Sequence, residues 1–362
     1  MPTRPLVTKY EDDLKLFPDR WHWVGVSASV LVVVLFGMLA NDHWISIGNN
    51  ALIAVVGAVA MMVLTGFAGQ VSLGHAAFIA IGAYTAAILG LSFGIPFWLC
   101  VPIAGLLAAA VGLLVGPFAL RLEGLYLAIV TIGLMFLVQH VLRNGLDMAY
   151  GKDYLSVPMH SWFADPSDSS LGSFRSDLSL GSIHIPADRL LYILFVILAT
   201  LALWTGKNLQ RSNTGRAMMA VRDGELAAGA LGVDATRAKL TAFGVSSFWA
   251  GVAGSMYAFA HPVLTLEPFG LKMSVEYIAM VVLGGVGTMF GAAWGALAFT
   301  VLQPVAELVG SLLPFPSAFS SEHQAVHLFF PTLCIFLVFE PFGLLGIWLR
   351  IKRYFLAWPF RY

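Results

Sequence analysis

From Trp23 to Leu39 the chain is almost wholly apolar. Nine further runs of the same character follow, at roughly 50–66, 72–91, 95–119, 124–142, 189–206, 240–261, 271–287, 289–309 and 326–349. A hydrocarbon core of about 30 Å takes about 20 helical residues to cross, and most of these runs approach that length. A water-soluble fold has no place for so many. Charged residues make up only 11% of the chain and hydrophobic ones 59%, against about 25% charged in an ordinary soluble domain. The spans read as helices, because barrel strands alternate with a period of two and Val30 to Phe36 does not alternate. The expected fold is an all-α polytopic membrane protein of about ten transmembrane helices.

The distribution of Lys and Arg orients it. The first apolar run is long for a signal peptide and no small-x-small cleavage site follows it, so it reads as an uncleaved span. With both termini in the cytoplasm, the inner segments are 1–22, 120–123, 207–239 and 350–362, plus short turns near 67–71 and 288. These collect fifteen of the twenty Lys/Arg, while Arg143, Lys152, Arg175, Arg189 and Lys272 fall outside or flank outer segments. That is the bias expected of cytoplasmic loops. The domain plan is a cytoplasmic segment at 1–22, a membrane domain at 23–349 and a cytoplasmic tail at 350–362.

Several function classes drop out. Net charge is zero, and no basic tract interleaved with aromatics argues for nucleic acid. There is no G-x-x-x-x-G-K-[ST], so the chain carries no phosphate-binding loop of its own. HExxH, CxxC, GxSxG and EF-hand patterns are absent too, and no catalytic residue, cofactor or metal site is expected. Cys100 and Cys334 sit in apolar runs and read as packing residues.

Polar residues inside apolar spans cost several kcal/mol unless satisfied, so they mark candidate sites. The densest group is Thr65-Gly66-Phe67-Ala68-Gly69-Gln70-Val71-Ser72-Leu73-Gly74-His75. Its glycines permit turns that other residues resist. Gln70, Ser72 and His75 can bond the carbonyls that a broken helix frees. Two readings stand: a broken or re-entrant segment beside a translocation pathway, or a cytoplasmic turn between two spans. Leu283-Gly284-Gly285-Val286-Gly287 echoes the Leu64 to Gly69 stretch, and paired Gly-interrupted spans can mark a transporter's central pathway. Thr65, Gly66, Gly69, Gln70, Ser72, His75, Gly284, Gly285 and Gly287 are therefore the pathway candidates. Gly112-xxx-Gly116 and Gly291-xxx-Gly295 suit close helix packing. Gln139, His140, Glu276 and Glu307 fall near outer ends of spans. The outer segment 143–188, rich in Asp, Ser, Gly and Pro, reads as a solvated loop with room for a short helix, or as a surface for an extracytoplasmic partner.

The segment from Lys207 to Lys239 is the unusual inner one. It holds six of the Lys/Arg, yet its middle is small and apolar. Thr214 can cap a helix starting near Gly215 or Arg216. Asp223-Gly224 can end it and open a second helix from Glu225 to Leu231. Gly232 suits the left-handed position past a helix end, and Asp234 can cap the following span. Leu226, Ala230 and Leu231 share one side of a helix too short to be stable alone. It needs packing, on its own protein or on a partner.

At this point the residues resemble a known family. GRAMMAVRDGELAAGALGVDATRAKLTAFGVSSFWAGVAGSMYA and LTGFAGQVSLGHAAFIAIGAYTAA are similar to the cytoplasmic loop and the Gly-rich segment of branched-chain amino acid ABC importer permeases, LivM type. GLYLAIVTIG and VVLGGVGTMFGAAWGA also fit, so the likeness covers most of 50–300. The resemblance implies an inner-membrane, multi-pass permease that pairs with a second, LivH-like permease and two cytoplasmic ATPase subunits. ATP would be bound by those partners, and an extracytoplasmic binding protein would deliver the substrate. It also implies that 207–239 couples to the ATPase, with Gly215, Arg216, Arg222, Asp223, Glu225, Ala227, Ala228 and Gly232 on the family pattern. A Thr-Gly-Gly-containing stretch common after the fifth span is replaced here by Arg143-Asn144-Gly145-Leu146-Asp147. Urea and short amides are handled by related permeases. The reading from a different class is a self-contained channel or ion-coupled carrier that uses 65–75 as its own site.

Overall fold

The computed structural model describes residues 31–119 except 32, 38 and 94, then 124–150, 154–156, 178–180, 183–185, 187–312 except 262, 343–347 and 350–351. The segment 1–22, most of the outer loop, Cys334, most of the last apolar run and the tail beyond 351 lie outside the described residues. The helices are α1 (Asp42–Met61), α2 (His75–Phe93), α3 (Phe97–Ala119), α4 (Leu125–Tyr150) and α5 (Ala187–Arg211). Two short ones follow, α6 (Asn213–Asp223) and α7 (Glu225–Ala230), then α8 (Ala235–Ala260), α9 (Leu271–Gly284) and α10 (Met289–Leu312). Among the described residues, four helical segments, 42–67, 98–117, 126–148 and 188–211, are long and apolar enough to cross a membrane.

The bundle is built around α1 and α8. Helix α1 packs on α8, α10 and α5, while α8 packs on α3, α2 and α1. Residues Ala51 to Leu64 of α1 and its continuation are buried without a break, the all-round apolar character of a helix enclosed by others. Its span is 89% buried, against 33–39% for α3, α4 and α5, so those three form the outer wall. Close approach at the centre depends on small residues. A side chain at Gly82 of α2 would run into the backbone of Gly251 in α8, and one at Gly254 into the carbonyl of Ile79. Gly112 and Gly116 play the same part between α3 and α8, where added atoms would meet Ser247 and Leu240.

Some boundaries depart from the hydropathy reading. Helix α1 begins at Asp42 rather than near 50, and α5 continues through polar Lys207 to Arg211. Helix α9 has 14 residues and turns by 117° into α10. At 1.5 Å per residue it is about 21 Å long, short of a full crossing, so 271–287 and 289–309 form one sharply bent pair. Gly284 makes the bend compact by lying directly on Gly291 and Gly295. Four three-residue strands sit outside the helical body. β1 (Tyr154–Ser156) pairs antiparallel with β4 (Val263–Thr265), Leu155 opposite Leu264, and β2 (Leu178–Leu180) pairs with β3 (Ile183–Ile185). Of the outer segment 143–188, read as a solvated loop with room for a short helix, residues 143–150 continue α4 and the other described residues before α5 are short strands, of which β1 ties back onto the chain after α8.

Candidate functional site

Helix α1 does not end cleanly. Met62 to Phe67 continue it as one π-helical turn, and residues 68–74 are non-helical before α2 starts at His75. A π turn inserts a residue into the helical repeat and often accompanies function. The break is partly interior: Gly66, Gln70, Ser72 and His75 are buried, while Gly69 and Val71 between them are exposed. Its freed backbone groups find partners one by one. The amide of Gln70 donates to Leu64 O at 3.0 Å, and the Thr65 hydroxyl donates to Gln70 O at 3.1 Å. The Leu73 amide reaches Thr131 Oγ1 on α4 at 3.1 Å, and that of Gly74 reaches Ser72 Oγ at 3.3 Å. Ala76 donates to Ser274 Oγ on α9 at 3.0 Å. His75 is held by Gly57 O, 3.1 Å from Nε2, and lies edge-on to Tyr277 with centroids 5.2 Å apart. Ser72 and His75 are therefore engaged within the bundle. The Gln70 side-chain oxygen is buried with no hydrogen-bond partner among the described residues.

The two glycine echoes, more than two hundred residues apart, lie side by side. The Gly287 amide points at Met62 Sδ, 3.2 Å away, and a Cβ on Gly66 would come within 3.3 Å of that same amide nitrogen. Gly285 and Gly287 have φ of 110° and 96°, backbone that suits glycine alone, and they turn α9 into α10.

The inner segment then closes over both. Arg222, near the end of α6, donates from Nη1 to Gly66 O at 2.6 Å. Its stem crosses Gly69, where φ is +68° and a Cβ would come within 2.7 Å of Arg222 Cγ. A Cβ on Gly287 would lie 3.7 Å from Nη1. Asp223 accepts from Nε at 2.9 Å and pairs with Nη2 at 2.8 Å, which orients the guanidinium. Beside it Gln210 donates to Gly287 O at 3.2 Å and accepts from Lys207 Nζ at 2.9 Å. Arg222 thus joins Gly66, Gly69 and Gly287 of the pathway candidates to Arg222 and Asp223 of the coupling candidates.

Capping in 207–239 is partly as expected. Asp234 caps α8, accepting from the Arg237 amide at 3.0 Å, and Gly232 takes φ +83° just beyond α7. Thr214 is not a cap. Because α5 runs on to Arg211, the next helix starts earlier, and Ser212 caps it by accepting from the Gly215 amide at 3.1 Å. Gly215 has to be small, since it sits on the carbonyl of Leu209. Nor does Asp223 cap α7, whose N-cap Gly224 makes no side-chain bond; Asp223 serves Arg222 instead. Glu225 pairs with Lys239 at 2.6 Å and fastens α7 to α8. Ala228 is the buried contact of α7, whereas Leu226 is 92% and Leu231 85% exposed, with Ala227 and Ala230 exposed beside them. Arg216 lies outward on α6, away from the Arg222 cluster. Among the described residues, no group of His, Cys, Asp or Glu could hold a metal ion.

Met62, Thr131, Gln210 and Ser274 carry this site without any local signal in the sequence; only the glycines and polar residues they serve stood out. Gln139, read as lying near the outer end of a span, donates to Phe269 O at 2.8 Å and ties α4 to the loop before α9.

Several apolar spans around a broken, glycine-lined helix, with a basic segment clamped on the break, define a polytopic membrane protein of the transport kind. The chain belongs to the branched-chain amino acid transport system permease component family, whose model matches residues 44–339. It is 35% identical over 280 residues to the high-affinity branched-chain amino acid transport system permease protein LivM of Salmonella typhimurium, and 34% over 282 residues to that of Escherichia coli. Each match covers 76% of this chain, and the chain spans 66% of the length of each relative. The autoinducer 2 import system permease protein LsrC of an Enterobacter species is 27% identical over 296 residues, 77% of this chain and 78% of that protein. No solved structure matches significantly.

Proposed function

We propose that this chain is the membrane-spanning permease subunit of an ATP-binding cassette importer for branched-chain amino acids, resident in the inner membrane with both ends in the cytoplasm. It works beside a second permease, with two cytoplasmic ATPase subunits that bind the ATP and an extracytoplasmic binding protein that delivers substrate. Family membership and the two LivM relatives support the substrate class.

The observation that carries the mechanism is the reach of Arg222 from α6 to Gly66 in the break of α1. Helix α7 offers Leu226 and Leu231 to the cytoplasm with nothing of the described chain upon them, an apolar face of the kind a partner's groove receives. Closure of the ATPase pair on ATP pushes α7. Lys239 and Glu225 pass the push to α8, and α6 carries it through Arg222 to the π turn and the Gly285–Gly287 bend. Both sides of that contact are glycine-jointed, so they can change backbone angles where a continuous helix cannot. The pathway opens there. The complex reconstituted in proteoliposomes is expected to take up labelled leucine, isoleucine or valine in preference to urea. Uptake of none of a panel of amino acids would overturn the substrate assignment.

A further inference from the structure

A cavity of about 520 Å³ opens between the middle of α4 and the loop before α9, lined by Phe136, Gln139, His140, Arg143, Leu266 and Glu267. Its size is within the range of about 300–1,000 Å³ usual for small-molecule sites. On the topology proposed above it lies in the outer half of the span read at 124–142, beside the outer loop. We propose that it receives a free zwitterionic α-amino acid, the substrate after its release from the binding protein. This rests on the importer reading and adds a site to it, far from Arg222.

The chemistry of the lining selects the ligand. It carries one guanidinium and one carboxylate, yet neither Arg143 nor Glu267 is in an ion pair among the described residues. An α-amino acid brings a carboxylate and an ammonium on one carbon. The planar fork of Arg143 suits the carboxylate, which it can grip with two parallel bonds, and Glu267 accepts from the ammonium. Phe136 and Leu266 supply an apolar wall for an aliphatic side chain. The two charges stand on separate elements that are tied to each other. Gln139 bonds the loop through Phe269 O at 2.8 Å, and strand pairing of 263–265 with 154–156 anchors it further. His140 is bonded by Asn144 at 2.9 Å. Beneath the loop Phe269 is buried edge-on between Tyr84 and Tyr257, centroids 6.2 and 5.2 Å away, so the way inward is closed by an aromatic group.

The test uses the whole transporter, purified with its partner subunits in lipid nanodiscs without the binding protein, and tritiated L-leucine at equilibrium. Unlabelled L-leucine is expected to displace the label. Isocaproate, which lacks the ammonium, and isoamylamine, which lacks the carboxylate, are expected to fail at the same concentration. R143Q and E267Q should each weaken binding by about tenfold or more, the loss of one charge-assisted contact, and R143K, which keeps the charge but loses the fork, should fall between wild type and R143Q. Absence of saturable binding, equal competition by either half-molecule, or unchanged binding in both variants overturns the proposal. ATP-driven leucine uptake by the same complex with its binding protein separates the two readings. If uptake proceeds and this binding is absent, the importer reading stands and the site falls; if no amino acid is taken up, both fall.

Discussion

Arg222 offers five donors from one planar group, and three of its nitrogens are used on Gly66 O and Asp223. A hydrogen bond to a charged group is worth roughly 1.5–3 kcal/mol. Arg222→Ala should therefore leave the complex assembled but release the π turn from α6. Leucine imported per ATP hydrolysed is expected to fall about tenfold or more, read by measuring uptake and phosphate release on the same proteoliposomes. Unchanged stoichiometry would remove Arg222 from the coupling route. Gly69→Ala acts on the other side of the contact. The left-handed conformation costs a side-chain-bearing residue about 1–2 kcal/mol, and its Cβ would press on Arg222 Cγ. A lower thermal midpoint together with a loss of coupling is expected, and a midpoint equal to wild type would show that the loop relaxes freely. The sequence singled out these glycines and this arginine separately. That they touch was hidden, because Gly66, Arg222 and Gly287 are brought together by long-range packing that no local pattern encodes.

Among the elements, α7 forms where the sequence placed a short helix, though without the expected Asp223 cap and ending at Ala230. Six residues cannot hold a helix in water, and the support within this chain comes from Ala228 and the Glu225–Lys239 pair, while the Leu226, Ala230 and Leu231 side stays exposed. Its outward face should be tolerant of charge in folding and intolerant of it in docking. Leu226→Asp with Leu231→Asp is expected to keep the detergent-solubilised chain at wild-type thermal stability within about 1 kcal/mol, as exposed positions usually do. Co-purification of the ATPase subunits should be lost. Retention of both subunits would contradict the docking role. The misread cap at Thr214 has a plain cause. Hydropathy reports where a helix leaves the hydrocarbon, not where its backbone ends, so the polar stretch Lys207 to Arg211 looked like loop while α5 ran through it. The early start of α1 at Asp42 and the extension of α4 to Tyr150 have the same origin. The bend of α9 into α10 was foreshadowed by Gly284, Gly285 and Gly287, but its 117° angle depends on Gly291 and Gly295 admitting close contact.

Across the whole molecule, the positive-inside distribution gives an orientation that labelling can check. A membrane-impermeant thiol reagent applied to intact cells should modify cysteine placed at Asp147, an exposed position at the outer end of α4. Cysteine at Leu226 should react only after the membrane is opened. The reverse pattern would turn the coupling segment outward and end the ATPase account. Helical class and the existence of central Gly-lined breaks were legible from composition and motif. The division into buried α1 and α8 against peripheral α3, α4 and α5 was not, since all are apolar and lipid-facing surface is as greasy as core. The most direct test of the central claim is leucine uptake by proteoliposomes containing this chain and its partner permease, supplied with the binding protein, with and without the ATPase subunits and ATP. The account expects accumulation only with both ATPase subunits and ATP present, abolished when ATP is replaced by a non-hydrolysable analogue. Accumulation without any ATPase, driven by an ion gradient alone, would contradict it.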